Sequence, residues 1–135
     1  MSWDRATTGR LAVVVVVLAL AYALALWQPV RAWYSDVDKL AHALVFGGVY
    51  LGLAWALRWP ALPLALLSLA LGAAVEAHQH VLPGFSPSVA DWLADAAGIG
   101  LAAMCQGAWR GWVSSSSAAA TAAAVPTATA DNRAP

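Results

Sequence analysis

Apolar residues run almost unbroken through four stretches of this chain, and the ionisable residues gather at their borders. A bilayer core of about 30 Å needs roughly 20 mostly apolar residues in a helix. The first stretch runs from about Leu11 to Trp27 and holds the uninterrupted Val13 to Val17. Valine is only a fair helix former in water, but in lipid a lone span must satisfy its own backbone hydrogen bonds, which leaves helix as the one solution. Pro29 and the polar Arg31 to Asp38 end it. The second runs from about Val37 to Leu57 and stops at Arg58-Trp59-Pro60, since proline disfavours helix at the residue before it. The third extends from near Ala61 to about Val81 and ends at Pro83-Gly84; Pro63 falls in its first turn, where a missing N–H costs nothing. The fourth follows Ser88, an N-cap candidate, and continues to about Trp112.

The pattern therefore predicts an all-α integral membrane protein, with four transmembrane helices in a compact bundle. Residues 1–10 form an N-terminal segment, 11–113 the transmembrane domain and 114–135 a tail. The tail is a Ser/Ala/Thr/Pro tract with Val125 as its one larger apolar residue, so it is expected to be disordered. The first apolar run exceeds a signal-peptide core of about 7–15 residues, and Trp27-Gln28-Pro29 is a poor cleavage neighbourhood, so it is expected to remain as a helix.

Composition agrees with the pattern. Sixty-one per cent of the residues are hydrophobic and 10% charged, with a mean hydropathy of +0.67, whereas a soluble domain carries about 25% charged residues. At 135 residues the chain has room for one compact unit. A formal net charge of zero offers nucleic acid no basic surface. Cys105 is the single cysteine, which excludes an internal disulfide; its plain reading is a small buried hydrophobe in a helix.

With four spans both termini share one side. Arg5, Arg10, Arg58, Arg110 and Arg133 fall there, against Arg31 and Lys39 opposite, so the termini are expected in the cytoplasm of a cell-membrane protein. Asp38, Lys39 and His42 then open the second helix, Glu76 to His80 close the third, and Asp91 and Asp95 open the fourth. At 1.5 Å per residue, His42 and Asp95 lie on the order of 5–10 Å below the outer helix ends. Three helices thus bring polar residues to one depth in the outer leaflet. Asp38/His42, Glu76/His80 and Asp91/Asp95 are each i,i+4 pairs, so each shares a helix face. An acid mid-membrane costs roughly 2.5–3.5 kcal/mol on insertion scales, which makes such residues functional candidates and predicts that they face one another. Gly47, Gly48 and Gly52 on the second helix and Gly98 and Gly100 on the fourth are expected to allow close approach.

The segment Asp38-Lys39-x-x-His42-x-x-x-Phe46, with Glu76-x-x-Gln79, the Pro83-Gly84 turn, Asp91 and the late Gly98, resembles the VanZ-like family, named for a membrane protein associated with glycopeptide (teicoplanin) resistance. The resemblance covers roughly Asp38 to Gly100. It departs at two positions: Phe85 stands where the family usually has Arg, and Asp95 where it usually has Asn. The first removes a cation able to hold a phosphate or carboxylate, and the second adds a titratable group. The resemblance implies an envelope-related task at the bacterial inner membrane, in antibiotic resistance or in modification of a lipid or envelope substrate.

Three readings of the polar cluster are open at this stage. In the first, Glu76, His42, Asp95 and Asp91 do acid–base chemistry, through a Glu76/His42 or Asp95/His42 pair, while Asp38, Lys39, Gln79 and His80 bind. No nucleophile elbow is present, and Ser86 and Ser88 suit turn and cap roles. In the second, a metal is held by His42, His80 and one acid; His78 and His80 are two apart and point differently, no recognised motif supports the set, and neither a metal nor another cofactor is assigned. The third is a binding or transport module for a small amphiphile or for protons, which with four spans would call for a homo-oligomer. The expected partners are membrane lipids and a lipid-like or envelope small molecule.

Overall fold

A computed structural model describes residues 4–26, 35–82 and 88–124. The first loop, the Pro83-Gly84 turn with Phe85 and Ser86, and the tail beyond residue 124 lie outside the described residues. The described residues form four helices, α1 (Arg5–Ala25), α2 (Ser35–Leu57), α3 (Ala61–Gln79) and α4 (Val89–Ala124), without a strand. Of these, α1, α2 and α3 are long and apolar enough to cross a membrane. The chain divides into two units, Met1–Met104 and Cys105–Pro135.

Helix α1 starts six residues before the expected Leu11 because Asp4 caps it. The Thr7 N–H donates to Asp4 Oδ1 at 2.7 Å and the Thr8 N–H to the Asp4 carbonyl at 3.1 Å. Hydrogen bonding from Thr7 holds the Asp4 carboxyl below its ordinary pKa. A depressed pKa in the folded state means that the cap is intact at neutral pH and is lost only as pH falls through that lowered value. At the far end of α2, Arg58 takes the left-handed conformation (φ 56°) and its N–H donates to the Ala54 carbonyl at 3.1 Å. This is the terminating geometry that glycine usually supplies, enforced here by the Trp59-Pro60 that follows. Ser88 caps α4 as expected, its Oγ accepting the Ala90 N–H at 3.1 Å.

Within the first unit, α2 supplies six of the ten buried hydrophobic residues: Phe46, Val49, Tyr50, Leu53, Ala54 and Ala56. Their three- and four-residue spacing makes one stripe. Val14 of α1, Leu64 of α3, and Ile99 and Ala102 of α4 pack on it. On α1 Val14 alone is buried among the described side chains, seated against Gly52 at 3.5 Å from where a Cβ would stand, while Val13, Val15, Val16 and Val17 are exposed. Large apolar side chains exposed on consecutive positions suit a hydrocarbon solvent and would be a liability in water. Arg10 lies over the Trp55 ring at 5.6 Å from its centroid and ties α1 to the C-terminal half of α2.

The closest helix approach involves Gly98. A Cβ placed there would stand 1.9 Å from the Ala43 carbonyl oxygen, and one on Gly47 would stand 3.1 Å from the Gly98 carbonyl oxygen. Gly48 and Gly100, expected to serve the same purpose, face open space. Which glycine meets a neighbour depends on helix rotation: Gly47 is buried against Gly98, whereas Gly48 is exposed.

In the second unit α4 continues through Ser114 to Ala124, where the composition suggests a disordered tail. Alanine is the best helix former, and the hydroxyls of Ser114, Ser115, Ser116, Ser117 and Thr121 each donate to the carbonyl four residues back at 2.9–3.0 Å. These polar groups are thereby satisfied within the helix. Cys105 is free and exposed on α4, not buried as its apolar surroundings suggest.

The glycine geometry makes a contrasting pair of expectations. Gly98→Ala should destabilise the purified protein by about 3 kcal/mol or more, because the clash is with backbone and the helices must separate. Gly100→Ala should be neutral or raise stability by about 1 kcal/mol through helix propensity. Unfolding of both variants in detergent, followed by circular dichroism, checks the pair.

Candidate functional site

The polar site is assembled from two i,i+4 pairs on neighbouring helices. Asp38 and His42 lie one turn apart on α2, and Asp91 and Asp95 one turn apart on α4. The Gly98 approach to Ala43 brings these turns together. His42 Nδ1 lies 2.9 Å from Asp95 Oδ1, and Asp95 is 0% exposed. A carboxylate oxygen accepts, so the pair is written with His42 Nδ1–H donating to Asp95 Oδ1. Phe46 stacks on the far side of the imidazole, 13° from parallel with centroids 6.4 Å apart, and fixes the ring plane.

Asp95 fits only because α3 has no side chain opposite it. A Cβ on Gly72 would stand 2.7 Å from Asp95 Oδ2 and 3.4 Å from Phe46 Cε1. Asp95 Oδ2 itself has no hydrogen-bond partner among the described residues. One ligand atom from each of Asp38, His42 and Asp91 lies within 4.8 Å of the others. Asp91 is 9% exposed and Asp38 is exposed.

Glu76 stands slightly apart. Its Oε2 accepts the Ser88 N–H at 2.9 Å, joining the end of α3 to the start of α4, and its Oε1 is buried without a partner among the described residues. Next to it an open groove of about 280 Å³ is lined by Ala73, Glu76, Ser88, Val89 and Trp92. The Trp92 indole N–H donates to the Leu69 carbonyl at 3.3 Å, which fixes one wall.

No family model, no curated protein and no solved structure matches this chain.

Of the residues singled out by sequence, the structure joins His42 to Asp95 and not to Glu76, and it adds Asp38 and Asp91 to the same cluster. His80 is exposed at the C-cap of α3, and the histidine-plus-acids group contains His42 without it. Gln79 is half-buried on the last turn of α3, and Lys39 is half-buried beside Asp38. One contact had no counterpart in the sequence reading. The Tyr22 hydroxyl and His78 Nδ1 form a hydrogen bond that links α1 to α3, with the two rings 5.8 Å apart. Its signal in the sequence is one tyrosine in an otherwise aliphatic helix, a polar group that must find a partner in lipid.

Gly72→Ala tests how tightly the carboxylate is housed. The added methyl must displace Asp95, so the variant should lose about 1–3 kcal/mol of stability and disturb the His42 ring signals in histidine-selective ¹⁵N spectra. Gly48→Ala, which meets nothing within 4 Å, should leave both unchanged.

Proposed function

We propose that this protein is a VanZ-like multi-pass membrane protein whose outward-facing polar site binds the head group of an envelope amphiphile and promotes proton transfer on it, with Glu76 as the acid–base group. The observation that carries this reading is Glu76 Oε1, without a partner among the described residues, beside a groove with apolar walls. A groove of that kind takes an acyl or isoprenoid stem, with the Glu76 carboxyl at its polar end. The Ser88 N–H holds the other oxygen, so Oε1 keeps a fixed direction. His42, with its ring held by Asp95 and Phe46, orients the bound group from the α2 side.

All four helices cross the bilayer in this reading, with both termini in the cytoplasm. Helix α4 carries Asp91, Asp95, Gln106 and Arg110 among its apolar residues, and both acids are buried against the protein. Their cost is then one of helix–helix pairing and not of exposure to lipid. The Asp38-Lys39-x-x-His42-x-x-x-Phe46 segment and the Glu76-x-x-Gln79 segment support the family reading, since Asp38, His42 and Phe46 share one face of α2 and Glu76 closes α3 toward Ser88. A pure binding module remains the second reading, favoured by the groove itself.

Two measurements test the proposal. With Cys105 replaced by Ala, single cysteines at Ser35, Ser86 and Ser115 are treated with a membrane-impermeant maleimide on intact cells. Ser35→Cys and Ser86→Cys should be labelled and Ser115→Cys protected; the reverse would place the site in the cytoplasm. Glu76→Gln should abolish head-group chemistry, a loss of about 10²–10⁴-fold, while amphiphile binding survives. Full cellular function in Glu76→Gln would favour the binding module.

A further inference from the structure

The turn shared by α2 and α4 carries two carboxylates, Asp38 and Asp91, that the head-group reading above leaves without a role, and both lie beside His42. Asp38, His42 and Asp91 converge with one ligand atom of each within 4.8 Å of the others, and Asp95 Oδ1 lies 2.9 Å from Nδ1 of the same imidazole. We propose that Asp38, His42 Nε2 and Asp91 bind a divalent first-row cation, zinc or manganese, with Asp95 as the carboxylate that orients the histidine ligand.

Three observations support this assignment. First, the donor set is one imidazole and two carboxylates, ligand types that zinc and manganese both accept. Second, metal-ligating histidines donate their other ring N–H to a carboxylate or carbonyl, and here the carboxylate of a wholly buried aspartate fills that role. Asp95 fixes the tautomer that leaves Nε2 available, and Phe46 fixes the plane of the ring. Third, Asp91 is nine-tenths buried within the same cluster as Asp38, with Asp95 behind the imidazole. Three carboxylates around one imidazole in a low-dielectric setting favour a cation among them.

The span of 4.8 Å exceeds the separation of about 3.4 Å between ligands bonded to one ion at roughly 2.0–2.2 Å in tetrahedral geometry. Asp38 is exposed on the first turns of α2 and can shorten its distances by a rotamer change, whereas Asp91 is buried and His42 is bonded to Asp95. Three protein ligands leave at least one position open to water or to an anionic head group. The ion would thus lie on the α2 side of the site, with Glu76 acting from α3. The inference shares the site of the preceding proposal but not its chemistry: Glu76→Gln should leave ion binding intact, so failure of one is distinguishable from failure of the other.

The test uses the full chain in lipid nanodiscs, stripped with chelator and then titrated with Mn²⁺, free ion being read by electron paramagnetic resonance. Zn²⁺ competition and elemental analysis complete the measurement. One ion per chain is expected. Asp38→Asn, a substitution at an exposed position that leaves the fold in place, should weaken binding by about 10-fold or more, and His42→Ala should abolish it. Asp95→Asn should weaken binding by about 10-fold with the stoichiometry unchanged, as loss of an outer-sphere carboxylate does. His80→Ala should bind like the unmodified protein. Well under one ion per chain, or binding that Asp38→Asn and His42→Ala leave untouched, would overturn the proposal.

Discussion

The burial of Asp95 is the constraint on which the site depends. A carboxylate with no exposed surface, in a protein poor in charge, must be given a partner and a shaped space. His42 is the partner, and Gly72 makes the space by carrying no side chain. Gly98 does the third part of the work by letting the α2 backbone at Ala43 come close enough for His42 to reach across. Breaking a buried pair of this kind costs about 3–5 kcal/mol, so the arrangement resists drift and can hold chemistry in a fixed geometry.

From that pair the two halves of the site follow. On the α2 side the imidazole bonds Asp95 through Nδ1 and lies in one cluster with Asp38 and Asp91. On the α3 side Glu76 is tied to the first residue before α4 by the Ser88 N–H and keeps one oxygen unpartnered beside the groove. The capping hydroxyl of Ser88 starts α4 at the point that lets Asp91 and Asp95 fall one turn apart on the inward face. The Tyr22–His78 hydrogen bond joins α1 to the end of α3 that carries Glu76.

Much of this was legible in the sequence, and the rest fails for identifiable reasons. The α2 and α3 boundaries follow from apolar runs bounded by Arg58-Trp59-Pro60, and the convergence of Asp38, His42, Asp91 and Asp95 follows from i,i+4 spacing at matching depth. Spacing fixes which residues share a face, but not the rotation of one helix against another. That is why Gly47 and Gly98 make the close approach while Gly48 and Gly100 do not, and why His42 meets Asp95 instead of Glu76. His80, one turn beyond Glu76, looked equally able to join the cluster; the helix ends at Gln79 and leaves it exposed. The helical Ser114 to Ala124 segment was missed because low hydropathy signals a lack of burial, not a lack of helix.

The most direct test of this account is a double-mutant cycle on His42 and Asp95, using His42→Ala, Asp95→Ala and the double variant, with unfolding free energies measured in mixed micelles. A buried, hydrogen-bonded pair should give a coupling energy of about 1.5 kcal/mol or more. Additivity to within about 0.5 kcal/mol would mean that the two side chains do not interact, and the assembly of the site around Asp95 would be wrong.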